Sequence, residues 1–179
     1  SSHSHLGVPG EVEFTGRGVS YCAVCDGPFY RGQAVAVVGG GYSAVKEAEY
    51  LTAFAERVYL IHRLDQFRAG RYLVDKALVN PKIVPVMDTV VERIEGDVSG
   101  VTRLAVKNIK SGQDSLLDVH GVFTFVGLVP HSALLDGLLE TNDDGWLVLD
   151  RHLAASLPVL FAARHAMKPT RRRVNAAAA

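Results

Sequence analysis

The stretch Gln33-Ala34-Val35-Ala36-Val37-Val38-Gly39-Gly40-Gly41-Tyr42-Ser43-Ala44-Val45-Lys46-Glu47-Ala48-Glu49 constrains this chain most, because an apolar run breaks into three glycines and then into helical spacing. Residues 34–38 are short and uninterrupted, as in a strand buried on both faces, and Val45, Ala48, Leu51 and Thr52 recur at the spacing of one helix face. Between them lies Gly39-x-Gly41-x-x-Ala44, the dinucleotide-binding pattern with alanine in the last place. Gly39 permits the tight turn, Gly41 lets the backbone approach a pyrophosphate, and Ala44 is small enough for close helix–strand packing. The free N–H groups and the dipole at the helix start attract phosphate. Gly40, Tyr42, Ser43 and Glu47 join these three as candidate cofactor contacts. A glycine-rich turn alone is as often structural; the strand before it and the helix after it favour the nucleotide.

Upstream, Tyr21-Cys22-Ala23-Val24-Cys25-Asp26-Gly27-Pro28 sets two cysteines beside a carboxylate, and Gly-Pro then ends any helical turn. Two intervening residues suit a redox disulfide, half of a zinc site, or two reduced core thiols. Zinc needs about four ligands. There is no second pair, and His62, His120, His131, His152 and His165 show no ligand spacing, so no metal site is expected and the redox reading leads.

The second strand, residues 57–61, ends in His62-Arg63-Leu64-Asp65-Gln66-Phe67-Arg68. An NAD site places Asp or Glu here for the ribose hydroxyl, whereas basic groups accommodate a 2′-phosphate. Arg63 and Arg68 are the candidates, since guanidinium forks onto phosphate oxygens, with Asp65 close enough in sequence to pair with either. NADP is therefore favoured over NAD.

A crossover helix over residues 69–80 and a strand over 82–87 complete a βαβαβ unit. Alternating runs at 89–95, 101–109 and 115–119 read as an antiparallel meander inserted at the sheet edge. Residues 121–126 form a final buried strand ending in Gly127, where a crevice is expected and the glycine lets the chain pass close to a ligand. Two further short strands are expected at 144–150 and 158–163. The chain has 179 residues, 48% hydrophobic and 21% charged, enough for one domain and a piece of another. Formal net charge is zero and the longest basic block is Arg171-Arg172-Arg173, so no nucleic-acid or membrane partner is expected. No apolar run approaches the roughly 20 residues of a membrane helix. Two close cysteines suit a reducing compartment, taken as the cytoplasm.

With these features placed, the chain resembles the thioredoxin reductases of the low-molecular-weight, bacterial type. The likeness runs from about residue 14 to 163 and more loosely to 175. Gly18-Val19-Ser20-Tyr21-Cys22-Ala23-Val24-Cys25-Asp26-Gly27, followed closely by the glycine turn, carries it most specifically. The resemblance implies that NADPH reduces a bound FAD, the flavin reduces the disulfide, and the dithiol reduces thioredoxin or a thioredoxin-like protein. It assigns Cys25 as the flavin-side thiol, Cys22 as the thiol that attacks thioredoxin, and Asp26 as the acid/base, with His62, Arg63 and Arg68 on the 2′-phosphate. A homodimer is open to the full-length form.

Several residues depart from the family pattern. Leu64 stands where a second arginine is usual, Tyr42 where a smaller polar residue is usual, and Ala163-Arg164-His165 where the family has Ala-Gly-Asp against the flavin. The segment Lys168-Pro169-Thr170-Arg171-Arg172-Arg173-Val174 still resembles the flavin-facing stretch, with Arg172 in the place of a common glutamine. The fold expected is α/β: a Rossmann-like parallel sheet with an inserted antiparallel meander and a short β-rich stub of a flavin domain. Residues 1–13 read as cloning remnant and linker, 14–127 as the NADPH-binding domain with its redox pair, and 128–179 as a truncated return to an FAD-binding domain. On this reading the chain alone is inactive without its flavin half. The competing reading is a non-catalytic NAD(P)-binding module or remnant.

Overall fold

A computed structural model of the chain describes residues 1–162 apart from 136, 151, 153, 158 and 159. It divides into two compact units, residues 5–126 and residues 1–4 with the described residues from 127 onward.

The larger unit is built on β2 (Val19–Ser20), β3 (Ala34–Val38), β4 (Arg57–Ile61), β5 (Ile83–Val86) and β9 (Gly121–Thr124), which form one parallel sheet in the order β2-β9-β3-β4-β5. Helix α2 (Tyr42–Leu51) links β3 to β4, and α3 (Arg71–Leu78) links β4 to β5. The expected strands at 34–38 and 57–61 appear with those bounds, and the first helix ends one residue early. Pro85, which has no N–H to give a ladder, sits in β5, an edge strand where that absence is tolerated.

The period of two in the strands sorts their side chains into two cores. Val35, Val37, Val58, Leu60 and Phe123 pack with Ala44, Val45, Ala48 and Leu51 of α2 and with Ala77 of α3. Ala36, Val38, Ile61 and Val122 pack on the other face against Val91, Ile94, Val101, Leu104 and Val106. These last belong to β6 (Thr89–Asp97) and β7 (Gly100–Asn108), which with β8 (Asp114–Asp118) form a separate three-stranded antiparallel sheet. The meander therefore covers a face of the parallel sheet; it does not extend the edge, as the sequence suggested. The apolar alternate residues of β6 and β7 need a partner surface, and the second face of β3, β4 and β9 is as apolar as the first. Burying each such Val or Leu contributes roughly 1.5–3 kcal/mol, so neither face is left open to water.

In the smaller unit, β1 (Ser2–His3) pairs antiparallel with β10 (Leu128–Val129), and the Ser4 amide donates to the Gly127 carbonyl. The strand expected at 144–150 does not form. The Asn142 side-chain oxygen accepts from the amides of Asp144 and Trp146 at 3.1 and 2.9 Å, Gly145 has φ +79°, and the Asp150 carboxylate accepts from the amides of His152 and Ala154. Such local side-chain bonds compete with a ladder, and one bridge, Thr141 with Leu147, is what this segment retains. Of the strand expected at 158–163, Pro158, Val159 and Ala163 lie outside the described residues, and Phe161 bridges Ala154. No helix among the described residues is long and apolar enough to cross a membrane.

Candidate functional site

Strand β3 is followed by β4 and β5 on one side of the sheet and by β9 and β2 on the other, so the order reverses at the β3–β9 boundary. In open parallel sheets a crevice lies outside the carboxyl ends of the strands at that point. The glycine turn leaves β3 there. Gly39 has φ +144°, its N–H donates to the Ile61 carbonyl at 2.9 Å, and a Cβ on it would lie 2.4 Å from the Phe125 carbonyl oxygen and 3.0 Å from the Ala44 Cβ. The turn glycine is thus also a contact between two strand ends and the start of α2. Gly41 is the N-cap of α2, extended and without a side-chain cap bond, and a Cβ there would meet nothing within 4 Å. That open space lies over the first turn of α2, whose leading N–H groups have no intrahelical acceptor. Tyr42 is exposed with the Lys46 Nζ 6.0 Å from its ring centre, while Ser43 and Glu47 are half-buried on the same helix.

The middle glycine has a different reason. A Cβ on Gly40 would fall 2.3–2.4 Å from three atoms of the His62 imidazole, and the Gly40 carbonyl accepts from the amides of Arg68 at 2.7 Å and Ala69 at 3.2 Å. The loop after β4 therefore folds back onto the turn after β3. His62 is 5% exposed and stacks on Phe67, and its buried Nε2 has no hydrogen-bond partner. Burial first, then the charges of Arg68 and Arg63, hold its pKa below the usual histidine value, so the ring is neutral near pH 7. Both arginines are exposed, and among the described residues neither has an ion pair. Asp65, the nearby carboxylate, is instead held by Lys110 at 3.3 Å, and Lys110 also reaches Asp88 at 3.0 Å. The charges of Arg63 and Arg68 thus act on the His62 ring that backs the glycine turn, and positive charge there suits a phosphate.

The cysteine pair leaves the same sheet edge. Ser20, the last residue of β2, pairs with Phe123, which pairs in turn with Val37 of β3. The chain then enters helix α1 (Ala23–Asp26), capped by Cys22, whose Sγ accepts from the Cys25 amide at 3.2 Å. Cys22 and Cys25 are joined in a disulfide. Ala23 anchors α1 in the helix-side core, while Val24 and Phe29 stay exposed. Asp26 is half-buried and accepts from the Ser20 hydroxyl at 2.6 Å. Tyr30 packs edge-on against Phe123, and burial, helped by the charge of Asp26, pushes its hydroxyl pKa up.

Two residues of this region escape the sequence reading. Ser20 is 4% exposed and links Asp26 to the Cys22 amide, which donates to its Oγ at 3.1 Å. Glu11, from the segment read as irregular lead-in, is 1% exposed; its carboxylate accepts from the amides of Leu6 and Gly7 and from the Tyr21 hydroxyl next to Cys22. The one available signal for Ser20 is a hydroxyl two residues ahead of the first cysteine; Glu11 has none. Gly127 lies in the smaller unit with φ +136°, its carbonyl bonded to Ser4. The segment likened to a flavin-facing stretch lies outside the described residues.

Residues 1–178 match the family model described as pyridine nucleotide-disulphide oxidoreductase. The chain is 44% identical over 163 residues to a thioredoxin reductase of Listeria monocytogenes, covering 91% of this chain and 51% of that protein. Against a thioredoxin reductase of Mycolicibacterium smegmatis the identity is 46% over 175 residues, covering 97% and 56%. A crystal structure of Lactococcus lactis thioredoxin reductase superposes with a TM-score of 0.91 at 39% identity, over 98% of this chain and 58% of that one. The chain thus spans about half the length of the curated relatives it matches.

Proposed function

The chain belongs to the pyridine nucleotide-disulphide oxidoreductase family, and on that premise we propose that it carries the NADPH-binding and disulfide-exchanging part of a thioredoxin-disulfide reductase. The observation that carries this reading is the shared edge: a Cys22–Cys25 disulfide after β2 and a dinucleotide turn after β3 leave the carboxyl end of one sheet, with only β9 between them.

The residues present fit the nucleotide. Gly41 leaves its Cβ position open where a pyrophosphate passes, Gly39 and Ala44 hold strand and helix close behind it, and the unpartnered Nε2 of His62 with Arg63 and Arg68 supplies the surroundings of a 2′-phosphate. Tyr42, Ser43 and Glu47 line the helix start beside it. In the family-level chemistry the nicotinamide supplies hydride equivalents and FAD, when bound, relays the electron pair to the disulfide. This chain's own share is to bind and orient the nucleotide, to hold the sulfur pair at an exposed helix start, and to manage protons. Reduced Cys22 attacks the disulfide of thioredoxin or a thioredoxin-like protein, Cys25 resolves the mixed disulfide, and Asp26 gives and takes the proton between them.

The test combines two measurements on the same protein. Calorimetric titration is expected to detect NADPH binding that Gly41→Ala weakens. Dithiothreitol-reduced protein, freed of reductant, is expected to reduce oxidised thioredoxin one for one and to end as the Cys22–Cys25 disulfide. Failure to bind either nicotinamide nucleotide, or free thiols that leave thioredoxin oxidised, would refute the assignment.

A further inference from the structure

We infer that Ser20 is a positioning residue for thiol–disulfide exchange, setting the Asp26 carboxylate against the redox pair through a single shared oxygen. The hydroxyl has one proton, and its acceptors are the Asp26 Oδ2 at 2.6 Å and the Cys22 carbonyl at 3.4 Å. The proton therefore goes to the carboxylate, as a charge-assisted bond of that length requires. The same Oγ accepts the Cys22 N–H at 3.1 Å. One atom thus stands one hydrogen bond from the carboxylate and one from the backbone of Cys22.

Three observations make this more than a local cap. Ser20 is 4% exposed, so its hydroxyl is shielded from water. It ends β2, and its backbone is fixed by the ladder to Phe123, so the oxygen is held by the sheet. Asp26 itself closes a four-residue helix that begins at the other sulfur's neighbour, with no side-chain bond other than the one to Ser20 recorded for its carboxylate among the described residues. Tyr30 on the following turn feels the charge of Asp26.

The inference rests on Cys22–Cys25 being an exchanging pair. In that exchange the Cys22 thiolate attacks one sulfur of the substrate disulfide, forming a mixed disulfide and expelling the first substrate thiolate, which takes up a proton. Deprotonated Cys25 then attacks the Cys22 sulfur, closing the intramolecular disulfide and expelling the second thiolate, which is also protonated. Two electrons and two protons pass to the substrate. Asp26 takes the Cys25 proton and returns it to a leaving sulfur, which needs the carboxylate fixed in place. Ser20 fixes it.

The experiment follows the rate at which dithiothreitol-reduced protein, freed of reductant, reduces oxidised thioredoxin and, separately, oxidised glutathione, with far-UV circular dichroism and a urea midpoint on each variant. Ser20→Ala is expected to slow both about tenfold. Asp26→Asn slows them at least as much, and the double variant is no more than about twofold slower than Asp26→Asn alone, because the two residues act through one group. Ser20→Thr, which keeps the hydroxyl on a residue suited to a strand, stays within about threefold of the parent. Multiplying effects in the double variant, an unslowed Ser20→Ala, or a folded Ser20→Thr as slow as Asp26→Asn overturns the inference, and the last applies even if Ser20→Ala does not fold. Exchange with glutathione but not with thioredoxin removes the proposed partner and leaves the Ser20 comparison intact; exchange with neither refutes both.

Discussion

Removing Arg63 tests the nucleotide assignment where its physics is most exposed. A charge-assisted hydrogen bond contributes about 1.5–3 kcal/mol when shielded, and a solvent-exposed ion pair about 0.2–1 kcal/mol. Arg63 and Arg68 are exposed, so the lower range applies, and two such contacts together favour NADPH over NADH by about 0.4–2 kcal/mol, a ratio of about two- to thirtyfold. Leu64, 43% exposed where a further arginine would add a third contact, holds the ratio there. His62 adds no charge near pH 7, because burial and both arginines keep it neutral. Arg63→Ala is then expected to reduce the ratio by up to about fivefold, by the loss of one exposed pair. Raising ionic strength from about 0.05 to about 0.5 M, which cuts the screening length from about 14 to about 4 Å, should shrink the parent's ratio in the same direction, because NADPH affinity falls more than NADH affinity. Isothermal titration of both nucleotides against parent, Arg63→Ala and Arg68→Ala decides it. Equal affinities in the parent, or a ratio that neither substitution moves, refutes the reasoning.

The adjacent glycines separate packing from binding. Gly40→Ala drives a methyl group into the His62 ring and is expected to cost about 1–3 kcal/mol of stability in urea melts. Gly41→Ala meets open space on an extended backbone and should change stability by less than about 1 kcal/mol, while lowering dinucleotide affinity at least tenfold in calorimetry. His62 makes stability pH-dependent: its folded pKa is lowered, so the unfolded chain takes up the proton first, and stability is lost as pH falls through about 6.5 toward the lower folded value. Urea midpoints between pH 8 and 5 should therefore fall less steeply in His62→Asn than in the parent. Intact mass with and without reductant, after alkylation, should show Cys22 and Cys25 passing between a disulfide and two alkylated thiols; alkylation of both cysteines after mild oxidation would exclude the redox role.

Much of the larger unit is legible because its signals are local and periodic. The β3–α2 stretch shows a buried strand, a glycine turn and a helix face within about 20 residues; the strand bounds and the burial of Val45, Ala48 and Leu51 follow its period, while Thr52 caps the helix instead of extending it. The meander's strands are equally plain, but their placement is not, because alternation says that one face of β6 and β7 is apolar and does not say what covers it. That is decided by the second apolar face of β3, β4 and β9, which a continuous run such as Val35-Ala36-Val37-Val38 conceals. The segment 144–150 misleads for the opposite reason. Trp146, Leu147 and Val148 look like a strand, but the Asn142 side chain just ahead of it binds the amides of Asp144 and Trp146 and takes two donors a ladder would use.

The site is legible at the residues that chemistry demands and opaque at those that hold them. Cys22, Cys25 and Asp26 declare themselves by spacing, and Gly39, Gly41 and Ala44 by pattern. Gly40 is part of the pattern's wording, yet its reason lies 22 residues away in the ring of His62, a contact that the pairing of Val38 with Ile61 at the ends of β3 and β4 brings about. Ser20 and Glu11 are ordinary polar residues in sequence, and burial is what changes their meaning. Once water is excluded, a hydroxyl or carboxylate must be matched donor for acceptor, and the partners it takes become fixed points of the fold. Those partners are Asp26 and the Cys22 amide for Ser20, and for Glu11 the Tyr21 hydroxyl beside the amides of Leu6 and Gly7, so both groups tie residues flanking the disulfide to buried points. The sulfur pair needs an exposed helix start to react, and an exposed four-residue helix cannot hold its own geometry. The buried bonds behind it supply the rigidity that its length does not.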